Sequence, residues 1–292
     1  SMNRTLLSDA PAARRLGASI EISAKQALDY PTLLEEVPVG SEVYLPDFGR
    51  EGNETVLNAA CRLASLGYNA IPHIATRRAE SLEAVEYRLR KLKDDAGITK
   101  VLVIAGDQAR PLGPLASTMD LLRSNLLEKH GFNDIRIAGH PEGSKDFGDD
   151  VALDALLEKI EFGKKTGTSL KIVTQFGFDA QAVVRWCQRL RMAGIDAPID
   201  IGVAGPARLT TLIKYAAMCG VGNSASFLLK RSHQVSSLMK SQTSEALVRV
   251  IESSQTHDVL ANINAIHVFA FGGIRSSSDW LVERGSWNLE RG

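Results

Sequence analysis

The chain has 292 residues, of which 44% are hydrophobic and 23% charged, with 34 basic and 34 acidic side chains. A chain without net charge lacks the positive surface typical of nucleic-acid binders, and an aromatic content of 6% argues against a base-stacking surface. No run approaches the roughly 20 apolar residues of a membrane-spanning helix, so we expect no membrane partner. Composition therefore predicts a globular protein with a substantial core and indicates no function.

The cysteines and the chain ends give further expectations. Cys61, Cys187 and Cys219 form no CxxC motif and no Cys/His cluster, which argues against a disulfide framework and against a metal site. We expect reduced thiols and a cytoplasmic location. Ser1-Met2 resembles a tag scar, and residues 286–292 are predicted to form a polar, mobile tail.

Short apolar runs alternate with longer amphipathic stretches along the whole chain. The candidate strands are Ala18–Ser23, Glu42–Asp47, Asn69–Ala75, Lys100–Asp107, Asp134–His140, Ser169–Phe176, Ile199–Gly205 and Ala265–Gly272. The candidate helices are Thr55–Leu66, Ser81–Lys93, Ala116–Leu127, Val151–Lys164, Ala180–Met192 and Ala207–Met218. Glycines stand where helices should end and are predicted left-handed C-caps: Gly67, Gly97, Gly131, Gly167, Gly194 and Gly220.

Eight strand–helix units without an intervening linker favour an α/β fold, a single (β/α)8 TIM barrel over residues 1–292. The alternative is an open doubly wound sheet, which normally has a glycine-rich phosphate-binding turn after its first strand. Here Ile20-Glu21-Ile22-Ser23 is followed by Ala24-Lys25-Gln26, so the barrel is favoured.

In a barrel the chemistry lies at the carboxyl ends of the strands. The residues predicted at those ends are Glu21, Asp47, His73, Asp107, His140, Gln175, Gly205 and Gly272, with Arg275 just beyond. A barrel built only for stability does not need ionisable or amide side chains at most of these positions. Their convergence predicts an active site.

Each of these residues also has a plainer interpretation. Glu21, if it points inward, should have a pKa raised by desolvation and serve as a general acid; otherwise it faces solvent or an arginine. Asp107 can contact a ligand or cap a helix, and His73 and His140 can bind a ligand or be a core and a turn residue. Gln175 offers a donor and an acceptor to a pterin edge, or bonds to backbone.

Weaker signals remain open. Phe176 and Phe178 can form an aromatic floor for a ring ligand or pack in the core. Lys159, Lys164, Lys165 and Lys171 more often form a solvated face than a phosphate site. The loop Gly220-Val221-Gly222-Asn223-Ser224 can receive a phosphate or be a simple turn.

Six segments between Glu21 and about Arg275 carry a resemblance to a known family. They are Ser19-Ile20-Glu21-Ile22, Pro72-His73-Ile74, Ala105-Gly106-Asp107, Ala138-Gly139-His140-Pro141-Glu142, Thr174-Gln175-Phe176-Gly177-Phe178-Asp179 and His267-Val268-Phe269-Ala270-Phe271. In this order and spacing they resemble the methylenetetrahydrofolate reductase family, whose fold is a (β/α)8 barrel.

The resemblance implies roles for individual residues. Glu21 matches the family's general acid, and Asp107 matches an aspartate near flavin and pterin that stabilises charge. Gln175 matches a pterin contact, and Tyr215 falls near an aromatic at the shared folate and nicotinamide site. His73, Gly106, Ala138 and His140 fall on positions that line FAD, with Lys164 the one plausible helix contact. Phe176 and Arg275 complete the candidate substrate-binding set.

Several flavin contacts of the family are replaced. Ala105 stands where the family has arginine, His140 where it has tyrosine, and a family histidine is replaced around Ser144; Leu156, Lys159 and Phe162 replace a polar set. The segments Val203-Ala204-Gly205-Pro206 and Gly220-Val221-Gly222 are similar to the mycobacterial-type reductases, which work without flavin. The resemblance therefore implies FAD, with direct hydride transfer from NADH or NADPH as the alternative.

The implied reaction is NAD(P)H-dependent reduction of 5,10-methylenetetrahydrofolate to 5-methyltetrahydrofolate, by a homo-oligomer acting in one-carbon metabolism and methionine biosynthesis. Two other hypotheses stay open. One is a non-catalytic module that binds folate or another one-carbon carrier. The other is a barrel enzyme that acts on a different pterin or methyl carrier.

Overall fold

A closed barrel of eight parallel strands forms the centre of the protein. The structure, a computed structural model, describes residues 15–49, 51–231, 241–255 and 262–290. The barrel strands are β1 (Gly17–Glu21), β2 (Glu42–Leu45), β3 (Asn69–Ala75), β4 (Lys100–Ile104), β5 (Asp134–Gly139), β6 (Ser169–Thr174), β7 (Ile199–Ala204) and β10 (Ile263–Phe269). They close in the order β1-β10-β7-β6-β5-β4-β3-β2, which confirms the predicted (β/α)8 barrel.

Helices cover the outside of the barrel. They are α1 (Ala24–Asp29), α2 (Leu33–Glu36), α3 (Asn53–Ser65), α4 (Leu82–Ala96), α5 (Thr118–Arg123), α6 (Leu126–Lys129), α7 (Asp149–Thr166), α8 (Ala180–Met192), α9 (Leu209–Met218), α10 (Gly222–Arg231), α11 (Glu245–Gln255) and α12 (Ile274–Glu283). Two short strands, β8 (Ala207–Arg208) and β9 (Ser241–Gln242), pair antiparallel above β7. Within the described ranges, no helix combines the length and the apolar character needed to cross a membrane.

All eight predicted strands are present, and most end one to three residues earlier than expected because the chain turns into the loops of the site. The six glycines predicted as C-caps all have positive φ, between 66° and 90°. The sequence patterns did not indicate α1, α2 or the last three helices, which are short or interrupt the regular alternation.

The predicted helix Ala116–Leu127 is two helices, α5 and α6, because Asn125 between them adopts the left-handed conformation with φ of 61°. A left-handed conformation costs residues with a Cβ about 1–2 kcal/mol, and Asn tolerates it better than most. We expect Asn125→Ala to lower the free energy of unfolding by about 1 kcal/mol, measured by urea denaturation. Asn125→Gly is the matched control and should keep or raise the stability; an equal loss in both variants would contradict this explanation.

Polar side chains fill the amino-terminal end of the barrel interior. Arg136 on β5, which is 2% exposed, donates to Tyr44 Oη at 2.8 Å and to Glu42 Oε2 at 2.7 Å on β2, across the barrel. Its Nε donates to Asp134 Oδ1 at 3.1 Å. This network joins β2 and β5, which lie three places apart in the ring of strands. The Tyr44 ring also packs edge-on against His267 on β10, with centroids 4.5 Å apart.

The predicted mobile tail is wrong at its beginning. Trp287 is buried, and its indole N–H donates to the carbonyl of Ala18 on β1 at 3.0 Å. The segment therefore packs against the first strand. The predicted tag scar, Ser1-Met2, lies outside the described residues.

Candidate active site

A buried carboxylate stands between two histidines at the carboxyl end of β1. Glu21 Oε1 lies 3.1 Å from His73 Nε2 on β3 and 3.2 Å from His267 Nε2 on β10. The exposed fraction of each of these side chains is 10% or less. The structure thus brings the predicted strand-end residues Glu21 and His73 together and adds His267.

Ser19 sets the proton arrangement of His267. Residues two apart on a strand lie on the same face of the sheet, so Ser19 and Glu21 can both contact His267 on β10. Ser19 Oγ lies 2.8 Å from His267 Nδ1, while Nε2 faces Glu21. A carboxylate only accepts hydrogen bonds, so Nε2 must carry a proton, and the Ser19 hydroxyl is the partner of the other ring nitrogen.

The Nε2 atom of His73 has no hydrogen-bond partner in the described part of the site. Its Nε2 is close to Glu21 but makes no aligned hydrogen bond, and it is buried. A buried ring nitrogen without an aligned partner can receive a ligand group at little cost.

The expected direction of the Glu21 pKa shift is wrong. Burial alone does raise it, but the charge of His73 and the hydrogen bond from His267 outweigh burial and lower the pKa from 4.5 to about 2. The Glu21 carboxyl is therefore ionised at neutral pH. A proton delivered from this group must come from a histidine Nε2–H that the carboxylate holds.

Asp107, from the loop after β4, forms a second acidic position. Its carboxylate is 77% exposed and accepts from Arg78 Nη2 at 2.7 Å. This hydrogen bond lowers the pKa of Asp107, and the charge of Lys145 adds to the effect. The preceding Gly106 has φ of 93°, which lets the chain turn sharply at the end of β4.

Lys145 and Cys219 connect the two acidic positions. The side chain of Lys145 lies so close to the backbone of Gly220 that a Cβ there would be 2.8 Å from Lys145 Cδ. Burial and the negative charge of Glu21 raise the pKa of the neighbouring Cys219 thiol, while Lys145 acts on both Cys219 and Asp107. Glu21 and Asp107 follow the carboxyl ends of β1 and β4, so both lie at the same end of the barrel, which we call the mouth. Lys145 adds a positive charge near Asp107 and Cys219.

An aromatic cluster forms the wall of the mouth over β6, β7 and β10. Tyr215 on α9 stacks on Phe271 with ring centroids 4.1 Å apart and planes 12° apart. Phe271 stacks in turn on Phe269, whose ring also lies 5.0 Å from His267. Tyr215, Phe269 and Phe271 are half-buried, so their edges remain available to a planar ligand.

Phe176, predicted to contact the ligand, is part of the core below this wall. It is 1% exposed and packs edge-on against Phe269 and Phe271. Gln175 beside it is half-buried, and its Oε1 accepts from the Phe176 backbone N–H at 3.1 Å. The side-chain carbonyl of Gln175 therefore bonds to the backbone, as in the plainer interpretation of this residue.

The remaining predicted contacts lie further out. His140 is half-buried edge-on to Phe147 at 5.3 Å, and burial with the charge of Lys159 lowers its pKa. Ala138 lies at the same end of β5. Arg275 lies at the rim, where it pairs with Glu36 and Asp279.

Lys164 is not at the site. It is exposed in the last turn of α7, which starts after the carboxyl end of β5 and leads to the start of β6. At 1.5 Å per residue this turn is roughly 22 Å along the helix from its first residue. Lys164 therefore lies toward the amino-terminal end of the barrel.

Three other predicted strand ends serve packing. A Cβ on Gly205 would lie 2.2 Å from Ser277 Oγ, and a Cβ on Gly272 would lie 1.9 Å from the Pro206 carbonyl oxygen. Asp47 is buried between Arg78 and Arg88. No group of three or more metal-binding side chains comes together in the part of the chain that the structure describes.

The barrel agrees with a comparison to known families. The model of the methylenetetrahydrofolate reductase family matches residues 35–271. The chain belongs to this family. A curated 5,10-methylenetetrahydrofolate reductase from Pectobacterium carotovorum subsp. carotovorum is 29% identical over 160 residues, 53% of this chain and 50% of the relative. The chain thus matches half the length of that reductase.

One solved structure shows the same fold. An uncharacterised protein from Clostridium thermocellum that binds two copies of 5-methyl-5,6,7,8-tetrahydrofolic acid aligns with a TM-score of 0.56 over 93% of this chain and 96% of its own. The two are 12% identical, so the likeness concerns the barrel alone. Dihydropteroate synthase from Thermus thermophilus aligns with a TM-score of 0.49 and 14% identity, over 94% of this chain and 96% of its own.

Sequence reasoning about this reductase-family member missed His267, Arg78 and Lys145. His267 lies in the middle of a strand, where a strand-end search does not look, although register places it opposite Ser19. The signal that could have found it is a histidine in an otherwise apolar last strand, which neighbours the first strand in any closed barrel. Arg78 and Lys145 lie in loops, whose course carries no periodic signal.

Proposed function

We propose that the protein catalyses the NAD(P)H-dependent reduction of 5,10-methylenetetrahydrofolate to 5-methyltetrahydrofolate. The observation that carries the proposal is the buried carboxylate of Glu21 between His73 and His267 at the mouth of a reductase-family barrel. Such a group holds an acidic proton where water is largely excluded. The folate-binding relative among the solved structures agrees with a folate substrate.

The reaction needs one proton and one hydride. The proton goes to N10 of the folate, whose bond to the methylene carbon breaks, and the resulting iminium at N5 takes the hydride from NAD(P)H. Because Glu21 is ionised, it acts by accepting the Nε2–H of His267 and by stabilising the imidazolium form of that ring until the proton is transferred. Ser19 keeps His267 oriented for this step.

The other residues of the mouth suit a cationic pterin intermediate. The exposed carboxylate of Asp107 provides negative charge for the iminium. The stacked rings of Tyr215, Phe271 and Phe269 provide a flat apolar wall for a heterocycle. Lys145 provides a cation for an acidic part of a ligand.

The residues present do not fit a flavin dinucleotide. Its diphosphate requires several cations or exposed donors, but of the corresponding helix positions Leu156 is buried, Phe162 packs against the core and Lys164 lies near the opposite end. Lys159, whose charge acts on His140, is then the one cation left among these positions. Arg78 is already engaged by two carboxylates. We therefore propose that hydride passes from nicotinamide to folate without flavin, and we assign no step to FAD.

Isotope transfer tests the proposal. The purified protein is incubated without oxygen with methylenetetrahydrofolate and NADH or NADPH deuterated at either face of nicotinamide C4, with and without added FAD. We expect nicotinamide oxidation without FAD and deuterium in the methyl group of the product, measured by mass spectrometry. Transfer through a reduced flavin would lose the label, because its N–H exchanges with solvent.

Other outcomes are informative. Loss of the label, or oxidation only after FAD is added, would overturn direct transfer and leave the reductase activity in place. No oxidation in any arm would overturn the reductase proposal. Binding without turnover is then measured by the rate at which the exposed Cys219 is alkylated. A ligand in the mouth should slow this alkylation, and the buried Cys187 should stay unreactive throughout. Slower alkylation with folate and no turnover would favour a folate-binding module.

A further inference from the structure

An ionic cluster joins the loops after β2, β3 and β4. Arg78, in the turn that follows β3, donates from Nη1 to Asp47 Oδ1 at 2.8 Å and to the Asp47 carbonyl at 2.6 Å. Its Nη2 donates to Asp107 Oδ1 at 2.7 Å. Arg88 on α4 donates to the other oxygen of Asp47 at 3.3 Å. Asp107 is the member of this cluster that faces the mouth.

Burial divides the cluster into a fixed part and an exposed part. The exposed fractions of the Arg78, Arg88 and Asp47 side chains are 12%, 12% and 9%, against 77% for Asp107. The backbone of Gly49 lies on the guanidinium of Arg78, since a Cβ there would be 2.9 Å from Arg78 Cζ. Arg78 therefore has little freedom to move, whereas Asp107 without it would be a loose surface carboxylate.

The loop that carries Asp107 is held by the neighbouring arginine. Arg77 donates to three carbonyls of this loop, those of Gln108, Ala109 and Ala116, at 2.7–3.0 Å. Backbone bonds from Arg77 N to the Ala105 carbonyl and from Leu112 N to the Arg77 carbonyl add to the connection. Arg77 thus fixes the backbone of the loop, and Arg78 fixes the acidic side chain on it.

We propose that Arg78 is a positioning residue for Asp107: it holds one carboxylate oxygen so that the ionised group faces the cationic part of the ligand in the mouth. The role of Asp107 toward the ligand rests on the proposed function. The contact with Arg78 does not, and the two can be tested separately. Nothing in the spacing of the strand-end motifs indicates this residue, because it comes from the loop after a different strand.

The first test follows the carboxyl group of Asp107 directly. Its ¹³C signal, assigned with Asp107→Asn, is titrated in the wild type and in Arg78→Met, Arg78→Lys and Arg88→Met. We expect the pKa of Asp107 to rise toward its ordinary 3.8 in Arg78→Met and to rise less in Arg78→Lys, which keeps the charge but loses the planar fork. Arg88→Met is the matched control, since it removes an Asp47 contact but none to Asp107.

The second test asks whether Arg78 acts through Asp107. In the wild type, we expect Arg78→Met to lower kcat about tenfold with a smaller change in KM, and to have no further effect in an Asp107→Asn background. If the protein binds folate without turnover, the same cycle is measured on the Kd of 5-methyltetrahydrofolate. Circular dichroism verifies that each variant is folded. If Arg78→Met is not folded, Arg78→Lys replaces it in the cycle.

Several results would overturn the proposal. An Asp107 titration that is unchanged in Arg78→Met, or shifted equally in Arg88→Met, would show that the contact does not control the carboxylate. If the fold-changes in kcat of Arg78→Met and Asp107→Asn multiply in the double variant, Arg78 acts independently of Asp107. A shifted titration in a protein with no reductase activity would retain the positioning role and reject the proposed reaction.

Discussion

Glu21→Gln is expected to lower kcat of the proposed reduction about 100- to 10,000-fold, which is the range for loss of a positioned acid–base group. The amide keeps the size of the side chain and an acceptor oxygen, but it lacks the negative charge that stabilises an imidazolium at His267. Because the affected step is proton transfer to N10, KM for the folate should change much less than kcat. Steady-state nicotinamide oxidation measures both constants.

Glu86→Gln is the matched control for this substitution. Glu86 also pairs with a histidine, His130 at 2.9 Å, but on the outer surface of the protein. Glu86→Gln should retain the wild-type kcat. The loss in Glu21→Gln then comes from its place at the mouth and not from replacing a histidine-paired carboxylate by an amide. Comparable losses in both variants would show a general effect on folding instead.

The low pKa of Glu21 also predicts a pH dependence of stability. A carboxyl whose pKa is lowered on folding stabilises the protein fully above its unfolded value near 4.5, and this contribution is lost as pH falls toward about 2. The free energy of unfolding of the wild type should therefore fall between pH 4.5 and 2 more steeply than that of Glu21→Gln. Parallel curves would contradict the ion-paired arrangement.

Arg284→Met is expected to lower the free energy of unfolding by about 3 kcal/mol, the lower end of the range for breaking a buried ion pair, because Glu252 keeps its contacts with Arg15 Nη1 and the Leu16 N–H. The side chain of Arg284, the residue that follows α12, is 2% exposed and donates to Glu252 Oε1 at 2.7 Å, and the Glu252 side chain is 1% exposed. The same guanidinium donates to Glu245 Oε2 at 2.9 Å. Urea denaturation followed by circular dichroism gives the value.

Arg249→Met provides the comparison for that variant. Arg249 also contacts Glu245, at 3.0 Å, but its side chain is 63% exposed. Exposed ion pairs contribute little, so we expect a change within about 0.5 kcal/mol. A loss as large as that of Arg284→Met would mean that shared contact with Glu245, and not burial of Glu252, determines the stability.

The barrel was predictable because strands buried on both faces are apolar through most of their length and helices repeat with a different period. Asn69–Ala75 and Ala180–Met192 were predicted to the residue for this reason. The break at Asn125 was not, since its cause is one backbone torsion that no periodicity records. The short helices α1 and α2 after β1 have too few turns to show a face. The helices α11 and α12 on either side of β10 are 11 and 10 residues long, and their amphipathic pattern was missed.

The candidate site was predictable as a set of positions but not as a network. Glu21 and His73 could be placed at strand ends, yet the sign of the Glu21 pKa shift depends on partners that only the closed barrel provides. Lys164 was predicted by family position alone, and the direction of α7 places it away from the mouth. The burial of Phe176 was not predictable either, because the sequence does not distinguish an aromatic side chain that lines the mouth from one that packs beneath it.

Closure of the barrel by pairing of β1 with β10 has a consequence for folding. The contact between His267 and Glu21 spans 246 residues, so it forms only after almost all the intervening chain has been synthesised and the ring of strands has joined. Such distant pairing is slow to form. A partly folded chain in which β10 has not yet joined β1 therefore carries Glu21 without His267, and the contact between these two side chains can serve as an internal marker of completed folding.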